Sequence, residues 1–429
     1  MTRRELDPII KDFIERAKTV SVSRAADLLE IPLPKSGTEY QGPCPTCLDG
    51  VDRFSVNRGK GVFNCRNCGG GRDGIGLIAK WRRYDLRNWS EFLIACSEAL
   101  VEAIPEAGKV ETKEEREARE RRTAKALQDA DQERTKRDAV AEKKRQEAVT
   151  LGRNLWLNAL DCVAAGEREA EGYALIRRYM RLRTGFWPHD GVFEHIRYWP
   201  RCTYYHGIDD FKRPIAIYTG AAMSIPFVNL DGKITGSQQI WIDLDAKPKF
   251  RPVLIDQDGK KLSSKKMHGA KKGSILPVFG DLYATRWVVG EGIENPAAWA
   301  GPEGWREDTF YCAAGDIGNL AGPRDPASDF YHPTLKKQDS AGRWKRVKVQ
   351  GADPLPDKGP DDAMQIPAHV TDLLVLADGD SEPVQTAACL ARMAARLERP
   401  GLNIQIQFPP ANMDFSEAFS AVQGEDNDD

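Results

Sequence analysis

The amino-acid sequence predicts an α/β protein: a parallel sheet wound with helices, preceded by a zinc ribbon, a charged helical linker and an α+β subdomain. Three observations carry that prediction. Two apolar runs, Trp287-Val288-Val289 and Leu373-Leu374-Val375-Leu376-Ala377, stop abruptly at acids and glycine, and helical patterns follow at 296–300 and 383–397. Two C-x2-C pairs, Cys44/Cys47 and Cys65/Cys68, are separated by 17 residues, as in four-thiolate zinc sites. Residues 106–149 are mostly Glu, Lys, Arg, Ala and Gln without a sustained heptad seam, the composition of a solvated helix.

The first 36 residues read as helical, with Ile9, Ile10, Phe13, Ile14, Val20, Ala25, Leu28 and Leu29 recurring near period 3.6. Between the cysteine pairs, Arg53-Phe54-Ser55-Val56 and Gly61-Val62-Phe63-Asn64 alternate like ribbon strands around a Gly-Lys-Gly turn. Helices are expected from Gly74 and over 90–103, closing a first domain at 1–105 with a linker over 106–150. Residues 151–285 form the α+β subdomain, with a helix at 173–183 and a hairpin-like unit at 224–242 turning on Asp231-Gly232-Lys233. From 286 to 420 strands and helices alternate, with strands at 309–313, 372–377 and 403–408. Within it, 321–368 is rich in Pro, Asp and Lys and reads as a surface insertion, partly ordered at best. The tail 421–429 is acidic and expected to be disordered.

At 429 residues the chain has room for two or three domains. A net charge of −2 excludes a global basic field, so any nucleic-acid affinity must come from local patches. No apolar run approaches membrane-spanning length, and no secretory core follows the first residues. Five further cysteines (96, 162, 202, 312, 389) show no framework spacing, which with a thiolate site points to a reducing cytoplasm.

The chemistry lies in two places. All four cysteines are used as ligands, so the Zn²⁺ is structural. Around them, residues 51–90 carry nine Lys or Arg, Arg53 and Arg66 among them, against three acids, interspersed with Phe54, Phe63, Trp81, Tyr84 and Trp89. Cations and aromatic faces together describe a platform for single-stranded nucleic acid; the alternative is that the aromatics are the core of a small domain. At the strand ends, Glu291, Asp378 and Asp380 converge if both strands share one parallel sheet, although 87 and 89 residues separate them. Three such carboxylates repel one another unless a hard divalent cation sits among them, which suggests a phosphoryl-transfer centre using Mg²⁺ or Mn²⁺. The alternative is that they cap helices. Ahead of them, Lys260, Lys261, Lys265, Lys266, Lys271 and Lys272 crowd an acid-free stretch, either a phosphate-binding loop or a solvated one.

Val289-Gly290-Glu291-Gly292-Ile293-Glu294, Ala377-Asp378-Gly379-Asp380 and Asp414-Phe415 resemble a TOPRIM domain, as found in primases, topoisomerases and some nucleases. The Glu-Gly-Ile-Glu form, Tyr179-Met180-Arg181-Leu182-Arg183, Asp231 to Gly236, Lys265 to Gly269 and the zinc ribbon resemble the TOPRIM primases of phages, plasmids and integrated elements. The resemblance covers about 37–95 and 170–420. It implies a DNA primase that makes short primers on single-stranded template from nucleoside triphosphates. Glu291 would be metal ligand or acid/base, Asp378 and Asp380 would hold Mg²⁺, and Glu294 and Asp414 would be further ligands or orienters. Arg181, Arg183, Lys265, Lys266, Lys271 and Lys272 would meet nucleotide or nucleic acid, and the ribbon would grip template. No G-x-x-x-x-G-K-[ST] occurs, so a separate replicative helicase is the expected partner. The rival readings are a non-catalytic TOPRIM/zinc DNA-binding protein of recombination type and a TOPRIM nuclease.

Overall fold

The computed structural model describes residues 6–425 except 34, 37–38, 48–51, 67, 165, 339–342, 357–358, 360 and 380. Asp380 and the end of the acidic tail, 426–429, therefore lie outside the described residues. The chain divides into two units, one of residues 1–143 and 332–348, the other of 144–331 and 349–429.

In the first unit, α1 (Pro8–Lys18) and α2 (Val22–Leu28) begin at side-chain caps, Asp7 and Ser21. Between them Thr19 and Val20 break the helical run expected over the first 36 residues. A four-stranded antiparallel sheet follows, β1 (Lys35–Ser36), β2 (Glu39–Gly42), β3 (Phe54–Asn57) and β4 (Val62–Cys65). Helices α3 (Gly74–Arg82) and α4 (Trp89–Leu100) complete it. One core joins the helices to the ribbon, with Phe13, Ile14, Ala17, Phe54, Phe63, Leu77 and Ile78 buried together. Helix α5 (Lys113–Leu157) runs 45 residues. Strong helix formers fill it, and surface pairs such as Arg116–Glu120 (2.8 Å) support it.

The second unit holds two five-stranded sheets. The first is antiparallel: β5 (Leu160–Asp161), then, after α6 (Glu167–Thr184), β6 (Arg197–Ile208), β7 (Pro214–Val228), β8 (Ile234–Trp241) and β11 (Lys265–Gly269), in the order β11-β8-β7-β6-β5. The expected hairpin at 224–242 is the β7–β8 pair; β6, with alternation too irregular to read from sequence, extends it. Strands β9 (Leu254–Ile255) and β10 (Lys261–Leu262) form a small separate pair.

The second sheet comprises β12 (Leu276–Phe279), β13 (Arg286–Gly290), β14 (Thr309–Ala313), β17 (Asp372–Leu376) and β18 (Asn403–Gln407), in the order β12-β14-β13-β17-β18. Strand β13 is central and runs parallel to β14 and β17, β17 is parallel to β18, and β12 is an antiparallel edge. Both faces are buried, as parallel sheets require: Val288 faces one core with α6, α7 (Glu294–Ala300) and α10 (Phe415–Glu425). Trp287 and Val289 face the other, with α8 (Ile317–Ala321) and α9 (Pro383–Leu397).

The segment 321–368 departs from the expected surface excursion. It carries a hairpin, β15 (Phe330–Gln338) and β16 (Trp344–Val349), but Met364 and Ile366 are buried in the core under α9. Arg396 of α9 donates to the Met364 and Leu320 carbonyls at 2.8 and 3.0 Å. Two apolar side chains in a polar stretch are a weak signal until the sheet offers them a face to cover.

Candidate active site and zinc centre

The zinc centre is built by two tight knuckles. In the second, the Cys68 N–H lies 3.5 Å from Cys65 Sγ and Gly69 turns the chain at φ +76°, a conformation in which a side chain would be strained. Lys80, one helix away, donates to the Cys68 and Gly69 carbonyls at 3.1 and 2.8 Å and holds the knuckle in place. The four Sγ atoms lie within 4.8 Å of one another, with Cys44–Cys68 at 3.5 Å and Cys47–Cys65 at 3.6 Å. A tetrahedron with Zn–S bonds of about 2.3 Å has edges of about 3.8 Å, so the thiols fit a structural Zn²⁺. Among the described residues this is the one group of three or more candidate ligands so closely gathered.

Two of the aromatics expected to stack on bases, Phe54 and Phe63, are core instead. Phe54 and Phe63 are 0% and 4% exposed, packed against each other and Trp81, so neither offers a face to a base. So small a domain has to spend its own aromatics on its core. Arg53 is half-buried, while Arg66 is exposed, 3.5 Å from Asp52.

In the second unit the register of the parallel sheet creates the acid centre. Val289 stands opposite Val375 and Gly290 opposite Ala313, so Glu291 and Asp378 both emerge at the carboxyl edge, from adjacent strands. Asp316 emerges beside them from β14, where Gly315 N–H donates to the Glu291 carbonyl at 2.9 Å. Burial, then the charges of Asp378 and Asp316, push the Glu291 carboxyl up to about 7, against an opposing pull from the Ile317 N–H and Lys265. Asp378 accepts a 2.8 Å hydrogen bond from Asn295 Nδ2, and Asn295 Oδ1 accepts from Ser416 N at 3.2 Å.

Glu294 belongs to a different arrangement. It is 4% exposed, and its two oxygens accept from Tyr179 Oη (3.1 Å) and Lys265 Nζ (2.6 Å). Burial alone would raise its pKa, but Lys265, Arg251 and Arg183 outweigh it and hold the carboxyl well below its usual range. Asp414 caps α10, accepting from Glu417 N (2.7 Å) and Ser416 Oγ (2.6 Å), with Arg183 at 3.6 Å. Both acids thus have protein partners already.

The basic residues scatter. Lys265 is paired with Glu294, Lys271 with Asp316, and Lys266 donates to the Tyr205 carbonyl and lies 4.7 Å from the Tyr204 ring. Arg183 is buried and donates to Ser416 Oγ at 3.0 Å, while Arg181 lies 6.0 Å from the Trp187 ring. Lys272 is exposed. Asp316, Asn295 and Arg251 are the residues that sequence reasoning missed. Asp316 had a signal: Ala314-Gly315-Asp316 repeats the apolar strand–Gly–acid pattern of Val289-Gly290-Glu291. Asn295 and Arg251 had none, because their partners lie 83 and 43 residues away, at Asp378 and Glu294.

Residues 7–107 match the CHC2 zinc finger, the zinc ribbon of DnaG. The first unit thus carries a CHC2 zinc finger of the kind found in DnaG. Among curated proteins none matches the chain. Among solved structures, the chain is similar to the zinc-binding and RNA polymerase domains of the Aquifex aeolicus primase, at 15% identity over 97% of this chain and 83% of that one, with a TM-score of 0.29. It is also similar to a DnaG primase catalytic domain bound to single-stranded DNA (13%, 66% and 82%, TM-score 0.35). The primase fragment of the bacteriophage T7 primase-helicase is a third (12%, 90% and 96%, TM-score 0.26). No helix among the described residues is long and apolar enough to cross a membrane.

Proposed function

We propose that this protein is a DNA primase that joins nucleoside triphosphates into short primers on single-stranded DNA at a TOPRIM site. The observation that carries the reading is the pair of adjacent parallel strands that end in Glu291 and Asp378, in a chain whose first unit is a DnaG-type zinc finger. The reaction is attack of a nucleotide 3′-hydroxyl on the α-phosphate of an incoming triphosphate, forming a phosphodiester and releasing pyrophosphate. Glu291 stands at the carboxyl edge of the sheet as a metal ligand or as the acid/base that takes the proton of that hydroxyl. Asn295 holds the Asp378 carboxylate in one orientation. The donor set fits a hard divalent cation, since Glu291 and Asp378 present oxygens whose mutual repulsion a cation would relieve. Glu291 and Asp378, with Asp380 by its place in the sequence, would hold that Mg²⁺ or Mn²⁺. The cation would lower the proton affinity of the hydroxyl and neutralise the leaving pyrophosphate. The domain boundaries read from sequence, with the ribbon on template and the 286–420 segment as the TOPRIM domain, belong to the same proposal.

The test is primer synthesis by purified protein on single-stranded DNA with labelled nucleotides and Mg²⁺ or Mn²⁺. Short products that fall at least about 100-fold with Asp378→Ala are expected. Template shortening lost in the variant would mean a nuclease, and template binding without products would mean a non-catalytic DNA-binding protein.

A further inference from the structure

The hairpin β15–β16 has a composition that folding does not explain. Residues 330–349 hold six Lys or Arg against a single acid, Asp339. Nearly every described position of β15 is exposed, as is the first half of β16. Tyr331 and Trp344 are 64% and 66% exposed, and Phe330 and Leu335 are exposed as well. Lysines on a free strand edge are ordinary protection against edge-to-edge pairing. Large aromatics are not: they work against that protection, and a two-stranded ribbon has no third layer in which to bury them.

Strand alternation sorts the faces. Trp344, Arg346 and Lys348 point to one side of β16, and Lys345 and Val347 to the other. Lys345 Nζ lies 3.5 Å from the Cys47 carbonyl, so its side faces the first zinc knuckle. The Trp344 side therefore faces away from the ribbon. An exposed indole and an exposed guanidinium, Arg346, alternate there, with Lys336 and Lys337 exposed on the paired strand.

We propose that this hairpin is a nucleic-acid-binding arm of the zinc unit, taking single-stranded nucleic acid. Unpaired bases stack on Trp344, and Arg346 on the same face, with whichever of the alternating neighbours Lys336 and Lys337 shares that face, meets the phosphates. Exposed aromatic faces select the single strand, because a duplex keeps its base faces stacked inside. The arm also supplies what the buried Phe54 and Phe63 cannot. The inference takes its ligand class from the primase reading.

The experiment is anisotropy of the full-length protein with a labelled single-stranded oligonucleotide and with the duplex of the same sequence, over a range of salt. Trp344→Ala should weaken single-strand binding about tenfold while changing duplex binding far less. Lys336→Ala/Lys337→Ala/Arg346→Ala should reduce the slope of log K against log salt by about 1.4, the loss of two phosphate contacts. All four side chains are exposed, so thermal midpoints and zinc content should match the unsubstituted protein. Unchanged affinity and slope in both variants would overturn the arm and leave the primase reading standing. Equal loss on single strand and duplex with Trp344→Ala would overturn the stacking. If the unsubstituted protein binds no single-stranded DNA, arm and template reading fall together. Unchanged DNA binding with lost binding of polyglutamate would replace the arm by a surface for an acidic protein.

Discussion

Glu303 shows how much one carboxylate can tie together. It accepts from Arg286 Nη1 and Nη2 (2.9 and 2.7 Å), Tyr311 Oη (2.6 Å) and Trp299 Nε1 (2.9 Å), joining β13, β14 and α7 below the acid centre. Burial raises its pKa, but these hydrogen bonds outweigh burial and leave it lowered from 4.5. A lowered folded pKa means stability that is present above the unfolded value and lost as pH falls through the folded one. Glu303→Gln should therefore cost about 2 kcal/mol at pH 7, and the difference should shrink as urea titrations move below about pH 4.5. Asn295 is the second residue whose role is set by partners. Asn295→Ala should lower primer synthesis about tenfold and raise the Mg²⁺ concentration needed, because Asp378 loses the donor that orients it. An equal loss at saturating Mg²⁺, with no shift in requirement, would count against orientation. Glu291 and Asp378 were legible as acids at strand ends. The Lys265–Glu294 pair was not, since nothing in a sequence says which cation will face which acid.

Among the elements, those with regular periodicity were read correctly: β13, β14, β17 and β18 fall where apolar runs stand, and α9 spans Pro383–Leu397 as expected. The failures have one cause. The stretch 321–368 looked polar throughout because composition averages a free hairpin with the few residues, Met364 and Ile366, that cover the sheet. Substitution separates the two parts. Met364→Ala should cost about 2–4 kcal/mol in urea unfolding by opening a cavity under α9. Leu335→Ala on the hairpin should cost less than about 0.5 kcal/mol. Similar costs would mean that the hairpin is structural.

For the whole molecule, the division into two units predicts two responses to metal removal. The zinc unit has its core built on the ribbon, with Phe54, Val56 and Phe63 between the knuckles and α1–α3. Stripping zinc with a chelator should abolish amide protection over residues 39–82, while β13 and β17, within their own two-faced core, keep theirs. Mass-resolved hydrogen exchange would show this; protection surviving in the ribbon would mean that the thiols are not held by metal. Features carried by local spacing were determined by the sequence alone: two C-x2-C knuckles, a long helix of strong helix formers, and strands ending in acids. Their signals lie within a few residues, where cysteine spacing and the periods of strand and helix act. Only the tertiary structure decided that Phe54 and Phe63 are core, that Glu294 and Asp414 are held by cations and caps, and that the charge of Asp316 reaches Glu291. Those outcomes depend on strand order and register between segments far apart in the chain, and on which side chains packing leaves out of water.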